Sequence, residues 1–207
     1  PDDRPTRTQR IKYVIQGGID DKKLKKWGFD IKELNEIVKF IKTTIDTLSK
    51  YTHINPEVFN LSEEDIEANS IETLTAFQSL VETIDDYREQ LKNFLDGHID
   101  DHMLTSVISN FFENVDRLAP HHSLDGCEVS DYHILDINDK EIIVKVTGTL
   151  YVTLEYVSNK ERREGDGLDL NQSFPFETKI KYEIDDKFPS DKYDVEEYDV
   201  DTSEWYE

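Results

Sequence analysis

The chain has 207 residues, enough for one domain or two small ones sharing an interface. Hydrophobic residues make up 36% and aromatics 11%, which supplies a core and excludes wholesale disorder even though 34% of residues are charged. The net charge of −22 repels phosphate backbones and argues against a free-standing nucleic-acid binder.

The charge is unevenly placed. Residues 1 to 50 carry 12 Lys/Arg against 8 Asp/Glu, net +4, leaving 12 against 38, net −26, in the remainder. Residues 1–19, with Arg4, Arg7, Arg10 and Lys12 ahead of Gly17-Gly18, read as a basic arm or linker. Nucleic acid is expected to approach only there, or through a partner. The first residues, Pro1-Asp2-Asp3-Arg4-Pro5, lack an initiator Met and a signal-peptide core, so the sequence is expected to begin partway through a longer polypeptide.

Residues 20–122 read as helical. Ile31, Leu34, Ile37, Val38, Ile41, Ile45 and Leu48 recur at three- and four-residue intervals, the spacing of an amphipathic helix. Asn55-Pro56 breaks it, and Ser62-Glu63-Glu64-Asp65 offers an N-cap with an acid three residues on. The second helix then shows a seam of Leu74, Phe77, Val81, Ile84, Leu91 and Leu95, with Arg88 at its one polar position; such a seam seeks a partner helix. Gly97 is expected to end this helix. A third follows with Met103, Leu104, Val107, Ile108, Phe111, Phe112, Val115 and Leu118, closed by Pro120.

After Asp125-Gly126 the periodicity changes from 3.6 to 2, placing an antiparallel β region with an acidic C-terminus over residues 123–207. Two strands are strongly patterned, one over 142–156 and one carrying Phe174, Phe176, Ile180, Tyr182 and Ile184; weaker strands flank them near 127–137 and 193–201. Asn138-Asp139 is a turn. The predicted class is α+β: an N-terminal bundle of about three long helices packed with a C-terminal antiparallel sheet of about four strands. There is no internal repeat. The single cysteine, Cys127, rules out an intramolecular disulfide, and no apolar run approaches the ~18 residues of a spanning helix, so a cytoplasmic location without membrane contact is expected.

Four constellations invite chemistry. Arg117-Leu118-Ala119-Pro120-His121-His122 matches the R-x4-6-H spacing of HEPN ribonucleases, and that resemblance implies metal-independent RNA cleavage with Arg117 on the scissile phosphate and His122 moving a proton. Leu118 in place of a polar residue, and the β region after Pro120, depart from that pattern. In the alternative, Arg117 complements the end of the third helix. His98 and His102, four apart among Asp96, Asp100 and Asp101, have the spacing of a zinc pair but lack H-E-x-x-H and a third ligand, so no metal or other cofactor is assigned. The long strand connection 158–169, with Lys160, Arg162 and Arg163, reads as a contact loop or a solvated hairpin tip. The carboxylates of 185–204, interleaved with Tyr193, Tyr198, Trp205 and Tyr206, either protect sheet edges or imitate a nucleic-acid backbone against a basic partner.

The last ~80 residues contain Val146-Thr147-Gly148-Thr149-Leu150, Tyr156-Val157-Ser158-Asn159, the Arg162-Arg163-Glu164-Gly165-Asp166-Gly167 loop, Ser173-Phe174-Pro175-Phe176 and Val200-Asp201-Thr202-Ser203. Through these stretches the region resembles the C-terminal domains of defence-associated nucleases, the predicted pPIWI-associated nuclease group and certain PIN-domain proteins. It implies a bacterial antiviral or toxin-like nuclease system. Residues 1–122 offer no strands to hold PIN-type carboxylates, so the expected role is a non-catalytic assembly or regulatory module. It would act through a protein partner or a second copy, with Arg88, Lys160, Arg162 and Arg163 as contact residues.

Overall fold

The computed structural model describes residues 4–51, 61–109, 112–156, 168–189 and 192–206. The Asn55-Pro56 break, Phe111 and the charged loop with Lys160, Arg162 and Arg163 lie outside the described residues. The architecture is α+β, and the chain divides into two compact units, residues 1–94 and 95–207.

The first unit is helical. α1 (Arg7–Gln16) lies where an arm or linker was expected. Thr6 and Gln9 form a reciprocal capping box, Thr6 N donating to Gln9 Oε1 at 2.7 Å and Gln9 N to Thr6 Oγ1 at 3.3 Å, while Gly17 ends the helix at φ 65°. Ile11 and Ile15, four apart, bury the inner face. Its basic residues are engaged locally: Arg7 and Lys42 share Asp46, and Lys12 reaches Asp21 at 2.6 Å. α2 (Asp21–Lys26) is capped by Asp20, and Asp30 caps α3 (Ile31–Tyr51), whose Leu34, Val38 and Ile41 are buried.

α4 (Glu63–Ser109) starts at the expected cap, with Asp65 N donating to Ser62 Oγ at 3.1 Å. It then runs straight through Gly97, where the sequence pattern placed a helix end. A glycine inside a helix costs only about 1 kcal/mol. Leu91, Leu95, Ile99, Met103 and Val107 are all fully buried on either side of it, each worth ~1.5–3 kcal/mol, so packing outweighs the break. The third helix is correspondingly shorter than its pattern: among the described residues, α5 (Glu113–Asp116) is the one α-helix between α4 and the first strand, entered through extended Phe112. No described helix is long and apolar enough to cross a membrane.

In the second unit the switch to strands falls at His121. β1 (His121–Ile137), β2 (Glu141–Glu155) and β3 (Asp169–Glu183) form a continuous antiparallel sheet, with short β4 (Tyr193–Val195) and β5 (Asp199–Val200) both on the outer side of β3. Asn138 makes the β1–β2 turn, its Oδ1 accepting from Lys140 N at 2.9 Å and Glu141 N at 3.0 Å. The even-numbered residues of β2, Ile142 to Leu154, are buried, as are Phe174, Phe176, Ile180 and Tyr182 of β3. The C-terminal part of α4 covers this face: Tyr132 donates to Asp96, His102 meets Tyr182, and Met103 meets Tyr198.

Candidate functional site

Arg117 is the C-terminal cap residue of α5 and its guanidinium pairs with Glu113 one turn earlier. His122, the second residue of β1, lies opposite Leu154, and strand alternation turns its imidazole inward until the side chain is only 14% exposed. Its Nδ1 stands 3.7 Å from Asp116 Oδ1, within reach of an ion pair but too long for a hydrogen bond. One turn of helix therefore supplies each residue with its own carboxylate. The turn is fixed in place: Asn114 Nδ2 donates to the Val200 carbonyl at 3.0 Å, and Tyr156 donates to the Leu118 carbonyl at 2.8 Å. A guanidinium already held by Glu113 must give up that partner before it can grip a phosphate.

His98 and His102 stack on α4 with ring centres 6.1 Å apart. His102 is buried. Its ring lies 3.8 Å from that of Tyr193 on β4, and its Nδ1 is 3.2 Å from the Tyr182 hydroxyl on β3. Around it, the Tyr132 hydroxyl donates to Asp96 Oδ1 at 2.7 Å, and Tyr182 meets Phe188 edge-on at 6.1 Å. His102 is thus the centre of an aromatic cluster that joins α4 to both β3 and β4. Among the described residues, no three His, Cys, Asp or Glu side chains converge as a metal ion requires. Burial raises the pKa of the Asp100 carboxyl, aided by Asp96 and Asp101; burial likewise raises that of the Cys127 thiol, aided by Asp100.

Burial, reinforced by His98 and opposed by Asp101, depresses the pKa of His102 below its ordinary 6.5. Above about pH 6.5 the imidazole is neutral in both folded and unfolded chains and adds no slope. As the pH falls through that value the unfolded chain takes up the proton first, so stability declines until the depressed folded pKa is reached. Asp100, shifted upward, acts in the opposite sense and in the lower carboxylate range. The His102 contribution therefore lowers urea midpoints as the pH falls below about 6.5, and His102→Gln, which keeps a polar partner for Tyr182, should remove that contribution.

The predicted α4 seam splits in two. Leu91 and Leu95 are buried, whereas Leu74, Phe77 and Val81 are exposed, as is Arg88. A cleft of about 480 Å³ between Leu48, Tyr51, Leu61, Ile66 and Leu74 borders this face. At the acidic C-terminus several carboxylates are engaged: Glu196 by Lys179 at 3.3 Å, and Asp185 and Glu183 by Lys192 at 3.4 and 3.6 Å. Asp201 accepts from Ser203 N at 2.9 Å, and bonding to Ser203 lowers its pKa. β4 and β5, three and two residues long and rich in charge, are the kind of edge that resists sheet-to-sheet pairing.

The tyrosine cluster around His102 was not singled out from the sequence, although Tyr182 sits in the apolar phase of β3. The acid held by Arg117 was legible as the four-residue spacing of Glu113 and Arg117.

No curated protein and no solved structure matches the chain. Two family models do, both described as predicted pPIWI-associating nuclease: one over residues 1–77, within the helical unit, the other over 84–206, from the middle of α4 to the end of the sheet unit. The likeness first visible in the last strands therefore extends into the helices, and the chain belongs to the predicted pPIWI-associating nuclease family.

Proposed function

We propose that this chain is a non-catalytic assembly or regulatory module of a prokaryotic antiviral or toxin-like nuclease system, acting through protein contacts, with the pPIWI protein of the family description as one expected partner. The observation that carries this reading is the row of Leu74, Phe77 and Val81 exposed on α4, since large apolar side chains aligned on one helix face mark contact surfaces. The acidity of residues 51–207 favours a protein over a nucleic-acid partner.

A second reading, metal-independent RNA cleavage by Arg117 and His122, draws on the Asp116 carboxylate 3.7 Å from His122 Nδ1. Only if that gap closed to hydrogen-bond distance would the carboxylate hold the proton on Nδ1 and leave Nε2 as the base. Incubating the purified chain with single- and double-stranded RNA separates the two. The module reading expects no cleavage; cleavage abolished by Arg117→Ala and by His122→Ala would replace it with the ribonuclease.

A further inference from the structure

Along α4, Glu67, Leu74, Val81 and Arg88 recur every seven residues, with Phe77 between the middle pair. Positions seven apart on an α-helix drift by only about 20° and rise ~10.5 Å, so these side chains form one stripe about 32 Å long. Leu74 is 69% exposed, Phe77 66% and Val81 44%, so the stripe faces outward. The inner face of the same segment is occupied. Ala76 and Tyr87 are buried, Thr44 of α3 donates to Glu72 at 3.2 Å, and Asn69 donates to the Tyr51 hydroxyl at 3.2 Å.

The charges say what covers the stripe. From residue 51 to 91 the sequence contains a single Lys or Arg, Arg88, and it falls on the stripe at the far end from Glu67. Two α4 helices laid antiparallel about a two-fold axis near Phe77 set Glu67 of each copy against Arg88 of the other and Leu74 against Val81, with the two phenylalanines meeting at the axis. A parallel, in-register pair instead opposes Glu67 to Glu67 and Arg88 to Arg88. Self-complementarity of this kind, in which i meets j and j meets i, is the signature of an isologous dimer contact. The end charges select orientation in the way flanking charges select helix pairing. We propose that two copies of this chain pair antiparallel through the outer faces of their α4 helices, closed at both ends by Glu67 and Arg88. This rests on the reading of that face as a protein contact.

Sedimentation equilibrium of the full chain tests it. The expected mass approaches twice 24.3 kDa as concentration rises. Phe77→Glu, at a solvent-facing position, should give a monomer with an unchanged far-ultraviolet CD spectrum. Glu67→Arg and Arg88→Glu should each weaken association by about tenfold or more, and Glu67→Arg combined with Arg88→Glu should restore it, because the swap recreates both end pairs. A monomer at every concentration, a dimer indifferent to Phe77→Glu, or a charge swap weaker than both single variants overturns the pairing. A monomeric chain whose complex with the pPIWI protein is lost in Phe77→Glu also overturns it, while leaving the module reading in place.

Discussion

Gly148→Ala is expected to destabilise the sheet unit by about 2–4 kcal/mol, and Gly148→Val to prevent the unit from folding. Gly148 sits in the middle of β2, opposite Val129 of β1 and Phe176 of β3. A Cβ at this position would lie 2.2 Å from the Glu128 carbonyl oxygen and 2.8 Å from the Phe176 Cε1 and Cζ atoms. The phenylalanine ring occupies the space that any side chain needs, and the backbone oxygen cannot swing aside as a flexible side chain would. Moving the ring carries a further penalty, because Phe176 meets Tyr198 edge-on at 5.5 Å and Tyr198 meets Phe112 at 5.2 Å. Gly97, where a Cβ meets nothing within 4 Å, is the control: alanine there removes backbone freedom from the unfolded chain and should be neutral or slightly stabilising. Trp205 lies in the sheet unit and Trp27 in the helical one, so tryptophan fluorescence with the other indole replaced by Phe follows each unit separately during urea denaturation. An unchanged Trp205 midpoint in Gly148→Ala would mean that the strands have room the geometry denies them.

The same glycine shows what the sequence could and could not convey. Its place in the apolar phase of β2 was readable from alternation alone, since Ile142, Val144, Val146, Leu150, Val152 and Leu154 share that phase and all are buried. That Gly148 is required by Phe176 was not readable, because the constraint is set by a residue 28 positions away on another strand. α4 makes the same point about helices. Its start at Ser62 and Asp65 is a local hydrogen-bond pattern and was legible, whereas its passage through Gly97 depends on burial of Leu95, Ile99 and Met103 by distant parts of the chain, such as Tyr198 against Met103, which no window around the glycine contains. α1 is different in kind. Thr6 and Gln9 spell a capping box and Ile11 and Ile15 a buried face, but the neighbouring arginines and Gly17-Gly18 dominated the pattern. Of the candidate residues, the approach of His122 to Asp116 depends on where β1 begins, and the burial of His102 depends on tyrosines 80 and more residues away.

Those tyrosines give the second large effect. Tyr182→Ala should cost about 3–5 kcal/mol, the range for truncating a large buried aromatic, while Tyr182→Phe should cost only about 1–2 kcal/mol. Tyr182 is fully buried, and its ring is shared among His102 at 5.6 Å, Phe188 at 6.1 Å and Tyr193 at 6.2 Å. Alanine leaves all three facing a void. Phenylalanine keeps the ring and removes only the hydroxyl, so its cost measures the bond to His102 Nδ1 at 3.2 Å. The two variants separate packing from polarity, and the pH dependence separates them again. In Tyr182→Phe the imidazole stays buried and its depressed pKa persists, so stability should still decline as the pH drops below about 6.5. In Tyr182→Ala water can enter the void and solvate the imidazolium, lifting the folded pKa toward the unfolded value, so that decline should shrink. Denaturation midpoints taken at neutral and mildly acidic pH decide the matter. Equal costs for the two variants would assign the cluster's stability to the hydroxyl alone, and an undiminished acid decline in Tyr182→Ala would show that His102 owes its burial to Tyr193 and α4 rather than to the ring of Tyr182.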